Sequence, residues 1–447
     1  MSKRRAPTGA SAATSNILIN VLIGLVAVFH VLVFVAYYQW RVSAPTSILG
    51  SDLRAFYTSW QMVHDGHTSK LYDLGVQIRT QSAIMGRPMT ADNLLAFVNP
   101  PYVSLGLSWL AFFDVRTAYA AFSALQLVFL GLACRMMLRG EMVTWSRRAQ
   151  VVFLTSGVLS IATLSAITLG TFTPTMLLAL VGLAAEYRRS IRVPAAEVPL
   201  RHWRAAGWLC VLTIKPQLAV FVLVALIATR QWKVIRNATV IGTGVVAATS
   251  VVCGPGIWAR YADFLRTYGR SNGKFGGDSH YMWNLRGMLT RMDGLSTPTA
   301  DRLAAGLFLV SVVAFGVWVA HVWSKTAPAA RPELFERTVT LTLALTVLLV
   351  PHCNRQDMLL LLPGVVALHN LRRERASAPG RPGRRIDWFV VVGCLLSAVA
   401  LTWDNNPHGY ALHPLTVLGL VTLGLAIRIR AGNEPVTTAG AGNVVGL

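Results

Sequence analysis

The chain of 447 residues is 54% hydrophobic and only 13% charged, about half the charge of a soluble globular domain, so a soluble enzyme is excluded and an integral membrane protein is expected. Its net charge of +22 falls in short Lys and Arg clusters between apolar runs. That is the positive-inside pattern, and with no nucleic-acid-reading motif beside it, DNA and RNA are excluded as partners.

In chain order, residues 1–16 form a basic tail carrying Lys3, Arg4 and Arg5, placed in the cytoplasm. Ile17–Tyr38 is long enough to cross a bilayer, and no small-residue cleavage site follows it, so it reads as a retained helix. Residues 39–116 then form a long external segment. Asp52 opens the stretch Ser51-Asp52-Leu53-Arg54-Ala55-Phe56-Tyr57. Beyond it Leu53, Phe56, Tyr57, Trp60 and Val63 recur at helical spacing, as in an amphipathic helix at a membrane surface. Pro100–Phe113 starts with Pro-Pro and is too short to span comfortably, which predicts an interfacial or re-entrant helix.

Thr117–Leu138 is a full span returning to Arg139, Arg147 and Arg148. Gln150–Tyr187 holds two passes that turn at Gly170-Thr171-Phe172-Thr173-Pro174, where Gly and Pro interrupt the run. Ala205–Thr229 has basic flanks on both sides, so it goes out and back with Lys215-Pro216 at its tip. Passes that short are tolerable only where they line a cavity. Further spans fit Ala238–Cys253, Leu303–Trp323, Thr338–Val350, Met358–Leu371, Ile386–Trp403 and Pro414–Ile427. The expected fold is thus all-α and polytopic, with about 12 passes, both termini inside and interfacial helices in the first external loop. Its catalytic region is residues 17–371, followed by C-terminal helices over 372–430 and a cytoplasmic, disordered tail over 431–447.

Two external loops, 39–116 and 254–301, are too long for connectors and carry closely spaced aromatics, so chemistry is expected at the outer face. There is no GxxxxGK[ST] loop, GxSxG elbow, HExxH helix or Asp-x-Asp pair. Cys134, Cys210, Cys253, Cys353 and Cys394 stand singly, which implies neither a disulfide framework nor a metal site. Each remaining polar candidate has two readings. Asp52 is a base or a helix cap. Asn99, in Asn99-Pro100-Pro101, fixes the interfacial helix against the first loop or simply begins it. Lys215, a charge inside an apolar hairpin, holds a phosphate or snorkels to the interface. In Tyr281-Met282-Trp283-Asn284-Leu285-Arg286-Gly287 the mix of rings, amide and guanidinium suits a sugar or lipid phosphate, or an interfacial belt. In His352-Cys353-Asn354-Arg355-Gln356-Asp357, His352 and Arg355 face a cavity or solvent.

In this order the motifs resemble those of the GT-C superfamily of integral-membrane glycosyltransferases, most closely glycosyltransferase family 87, which includes polyprenyl-phosphomannose-dependent α-mannosyltransferases. The resembling stretches run from about residue 17 to 371, with Gly66…Leu71-Tyr72-Asp73 and the Gly170 turn among them. The family often has Gly-Gln at that turn, whereas this chain has Gly170-Thr171. The resemblance implies an inverting single displacement with Asp52 as general base, at the outer, periplasmic face of a bacterial inner membrane. A hexose, mannose favoured, would pass from a polyprenyl-phosphate sugar to a lipid or glycan acceptor. No metal or cofactor is implied, and the partners are membrane lipids, donor and acceptor. Lys215, Arg286, Arg291, His352 and Arg355 are the candidate donor-phosphate ligands. Arg54, Tyr57, Asn99 and Asn284 are the candidate substrate contacts. A transporter or flippase is the main rival; it predicts internal repeats and mid-span charges, whereas no repeat relates the two halves and almost every charge lies at a span end. A silent assembly factor, in which Asp52 is replaceable, is the third reading.

Overall fold

The computed structural model describes residues 9–192, 201–271, 275, 279, 282–292, 294–326 and 331–376. Among these the secondary structure is helical, with no strand. Three of the described helices are long and apolar enough to cross a membrane: Val115–Arg139, Trp232–Cys253 and Thr297–Lys325. They contain the predicted spans beginning at Thr117, Ala238 and Leu303. The first predicted span lies within helix Gly9–Ser43. Cys394 and the spans Ile386–Trp403 and Pro414–Ile427 lie outside the described residues, as does the tail 431–447.

The chain runs back and forth between two ends of a helix bundle. Helix Thr173–Arg192 starts beside Asp357, to which Thr173 Oγ1 donates at 3.0 Å. At its far end Arg188 pairs with Glu141 and Glu336. Helix His202–Leu212 begins at that far end, where Arg204 meets Glu186 at 3.1 Å, and packs antiparallel along helix Thr173–Arg192. Gly182 permits their close approach, since a Cβ there would come within 2.4 Å of the Trp208 ring. The chain reverses at Lys215 and helix Pro216–Ala228 runs back. Lys215 is extended (φ −123°, ψ 84°) because the ring of Pro216 clashes with a helical conformation at the preceding residue. The predicted hairpin and its tip are therefore present. Its arms of 11 and 13 residues rise only about 17 and 20 Å at 1.5 Å per residue, so both need neighbours to complete their burial.

At the other end of the bundle the two long loops form one aromatic layer. Helix Leu53–His64 packs Phe56 against Phe172 with ring centroids 5.0 Å apart, and Phe172 meets Phe122 at 5.1 Å. Tyr72 of the first loop meets Tyr261 of the second at 4.9 Å, and Tyr261 Oη donates to the Val98 carbonyl. Leu53, Phe56, Tyr57 and Trp60 are buried in this layer. The helical period was legible, but the face it defines packs against protein. The Pro100–Phe113 stretch is a short helix, Pro101–Leu107, continued by a 3₁₀ turn to Phe112, with Trp109, Phe112 and Phe113 exposed.

Candidate active site

Asp52 holds the N-cap position of helix Leu53–His64 yet makes no capping hydrogen bond through its side chain. The capping reading therefore falls. Its Oδ2 accepts instead from Gln356 Nε2 at 3.1 Å. What positions Asp52 is the turn at Gly170. Leu53 N–H donates to the Leu169 carbonyl at 3.0 Å, and Gly170, at φ +68°, would bring a Cβ within 2.9 Å of Leu53 Cβ. Only glycine combines that backbone conformation with that proximity.

Gln356 and Asp357 are both buried, 1% and 0% exposed, and they organise the site around Asp52. Asp357 Oδ1 receives Lys215 Nζ at 2.7 Å and Thr173 Oγ1 at 3.0 Å. Its Oδ2 accepts the Asn354 N–H at 3.1 Å, closing a capping box at the start of the 3₁₀ helix Arg355–Leu361. One carboxylate thus joins three segments distant in sequence. Lys215, expected to hold a phosphate or to snorkel to the interface, already has an anion within the chain. One Lys215 hydrogen serves Asp357; the side chain is 13% exposed, and its other hydrogens make no bond among the described residues.

Burial pushes the Asp52 carboxyl above its ordinary range, with Asp357 adding to the rise and Lys215, Arg355 and Arg41 opposing it. Burial, reinforced by Lys215, lowers His352 to about 4. At neutral pH His352 is therefore an uncharged hydrogen-bonding group, with Nε2 3.4 Å from Asn354 Nδ2. Arg355 hydrogen-bonds Tyr37 and lies within electrostatic reach of both Asp52 and Arg41.

The other sequence candidates sit at the same end in framework positions. Asn99 donates through Nδ2 to the Ile214 carbonyl at 2.9 Å and accepts Tyr72 Oη on its own carbonyl at 2.7 Å, so it ties the first loop to the Lys215 tip. Asn284 donates to the Val350 carbonyl at 2.6 Å and caps helix Leu285–Thr290 by accepting the Gly287 N–H at 3.0 Å. Arg286 grips Asp301 with two bonds of 2.7 and 3.0 Å and reaches the Pro351 carbonyl at 3.1 Å; Arg291 closes the same short helix. Together these residues hold the strand of chain that carries His352. Arg54 Nη2 reaches the Asn93 carbonyl at 3.3 Å, and Tyr57 Oη donates to the Phe113 carbonyl at 2.8 Å, both within the first loop.

Gln356 and Asp357 are the site residues that the sequence reading did not single out, although both fall in the motif it quoted. Asn354-x-x-Asp357 has the spacing of a capping box, which was the available signal for Asp357. Nothing local foretold that Gln356 meets a residue 304 positions away.

The sequence model of glycosyltransferase family 87 matches residues 97–351. No curated protein and no solved structure matches the chain. The matched segment holds Asn99, Thr173, Lys215 and Asn284 and stops just short of His352. The roles of Asp52, Gln356 and Asp357 consequently rest on their geometry. Covering more than half of the sequence, the match decides for a glycosyltransferase over a transporter, and with its long apolar helices the protein is a membrane protein that belongs to glycosyltransferase family 87.

Proposed function

We propose that the chain is a GT-C-type transferase that moves a hexose, mannose favoured, from a polyprenyl-phosphate sugar to a lipid or glycan acceptor. The reaction takes place at the outer face of a bacterial inner membrane, by inverting single displacement. The observation that carries this reading is a partly buried carboxylate, Asp52, whose side chain does not cap its helix and lies within the field of Lys215 and Arg355. An outer-face enzyme has no supply of nucleotide sugar, whereas a lipid-linked donor reaches it through the membrane.

In the reaction Asp52 accepts the proton of the acceptor hydroxyl while that oxygen attacks the anomeric carbon and the bond to the phosphate oxygen breaks. A base whose proton affinity is raised by burial is better matched to a hydroxyl than an ordinary carboxylate. Gln356 fixes one carboxylate oxygen and leaves the other for the substrate. Its own Oε1 is buried with no partner among the described residues, so it offers an acceptor beside the base for a second sugar hydroxyl. Polyprenyl phosphate leaves with growing negative charge, which the free donors of Lys215 and the Arg355 guanidinium stabilise. His352, uncharged, contributes a hydrogen bond. Asp357 holds Lys215 in place and is a positioning residue.

Transfer from radiolabelled polyprenyl-phosphosugars into membrane lipids, measured with purified wild type and Asp52→Asn, tests the proposal. Wild type should label a product and Asp52→Asn should not. Absence of transfer with every polyprenyl-phosphosugar tried, or near-normal turnover by Asp52→Asn, would overturn it.

A further inference from the structure

A cavity of about 280 Å³ lies away from the active site, between helices Thr173–Arg192, Pro216–Ala228 and Arg331–Leu349, with Trp323 and Pro363 in its wall. On the first helix its lining runs from Leu180 to Ile191, a depth of about 16 Å at 1.5 Å per residue. That is roughly half of the ~30 Å hydrocarbon core, or one leaflet. Tyr187 is about 21 Å along the same helix from Thr173, and Thr173 bonds Asp357. The cavity thus opens toward the end of the bundle opposite Asp52.

Its chemistry changes along its depth. Leu180, Leu183, Val222 and Leu343 make the inner wall apolar. The outer rim is polar and basic: Arg331 lines it, and the exposed Arg189 and Arg230 adjoin the lining residues Ser190 and Thr229. In the wall stands Tyr187, 8% exposed, with its hydroxyl buried and without a partner among the described residues. A buried hydroxyl left unpaired is costly, and in an apolar slot it calls for an acceptor that enters together with hydrocarbon.

We propose that this cavity binds one acyl chain of an anionic phospholipid, with the ester carbonyl accepting from Tyr187 and the phosphate held by Arg331 and its basic neighbours. Depth selects a chain from one leaflet, and the rim selects a negative headgroup, as basic pockets between membrane helices do. The volume, near the lower end of the ~300–1,000 Å³ of ligand pockets, takes one chain and leaves the second in the bilayer. This site is independent of the sugar-transfer reading, because its ligand is not consumed and no catalytic group touches it.

Native mass spectrometry of the full chain in mild detergent, titrated with phosphatidylglycerol or with phosphatidylcholine of the same chains, reads the site directly. Wild type should retain phosphatidylglycerol preferentially. Arg331→Gln, an exposed change that leaves the bundle intact, should weaken that preference by about fivefold, since one basic residue contributes about 1 kcal/mol. Ala225→Phe, which fills the slot, should abolish retention of either lipid. Equal retention of the two lipids by wild type, or unchanged phosphatidylglycerol binding in Arg331→Gln, would overturn the proposal. So would displacement of the bound lipid by polyprenyl phosphate, which would make the cavity part of the donor's path.

Discussion

Each end of the bundle holds a buried ion cluster, and the two are built on opposite plans. At one end Arg188 is clasped by Glu336 through two bonds, of 2.6 and 2.8 Å, and by Glu141, under the ring of Phe335. Every side of that guanidinium is occupied by protein. At the other end Lys215 gives one hydrogen to Asp357, and Asp52 stands nearby with one oxygen uncommitted. Both clusters are apolar-region charges, and by the rule that intramembrane ionisable groups are functional both would be nominated as sites. What separates them is how the cation is held: Arg188 is shared between two carboxylates, whereas Lys215 bonds one. A cation clasped by two carboxylates ties helices together, whereas one bonded to a single carboxylate has capacity left for a substrate anion.

That contrast can be broken experimentally. Replacing Arg188 by Met strands two carboxylates in the interior and should cost about 3–5 kcal/mol. The thermal midpoint of the purified protein should fall sharply, while KM in whatever folds stays near wild type; a folded, catalytically dead Arg188→Met would merge the two clusters in kind. Asp52→Asn should behave in the opposite sense, with turnover down about 10²-fold or more and the fold intact, because among the described residues only Gln356 bonds that side chain. The sign of its stability effect follows from burial. A carboxyl whose folded pKa is raised prefers its neutral form in the fold, so its ionisation opposes folding as pH rises through that window. At neutral pH Asp52→Asn should melt at or slightly above the wild-type temperature, and a marked drop would return Asp52 to a structural role.

Lys215 tests the open cluster from its other side. Lys215→Met should lower kcat and raise the apparent KM for polyprenyl-phosphosugar by about tenfold overall, since the cation matters most as the leaving group charges, with partial recovery in Lys215→Arg. It also removes the first-ranked group opposing the rise in the Asp52 pKa. The acid limb of kcat/KM, already expected above the ordinary Asp value of about 3.9, should move to still higher pH. A limb that stays in place would detach Lys215 from Asp52. The smallest effect is expected from Gly170→Ala, which meets Leu53 at the turn beneath Asp52. About 1–2 kcal/mol of left-handed backbone penalty should appear as a modest loss of both stability and kcat. An unchanged kcat would mean that the turn does not set the position of the base.

Much of the architecture was legible because it depends on local pattern. The Lys215 reversal follows from a Pro after a basic residue between basic flanks, and the long spans from runs of apolar residues. Asp52 stood out by its place after the first span. The site's internal wiring was not legible, because it depends on side chains meeting across the bundle. Asn284 and Arg286 read as substrate ligands from their company of aromatics, yet an Asn three residues before Gly287 is equally a helix cap, and the Arg286 partner lies 15 residues on. Nothing local marks Glu141, Glu336 and Arg188 as partners, since no periodicity announces that two helices and a loop will converge.

The Lys215–Asp357 bond spans 142 residues of sequence, and this sets an order of events during biosynthesis. The hairpin tip leaves the ribosome first. At about 5–20 residues per second its carboxylate follows about 7 to 28 seconds later. Through that interval the ammonium lacks the carboxylate it bonds, so the two short arms should wait near the headgroups and settle between their neighbours only when residues 354–361 arrive. Nascent chains arrested before Asp357 should accordingly show a single cysteine at position 214, beside the retained Lys215, open to water-soluble thiol reagents, and chains extended past the 3₁₀ turn should show it protected. Equal protection at both lengths would mean that the tip is seated without its partner.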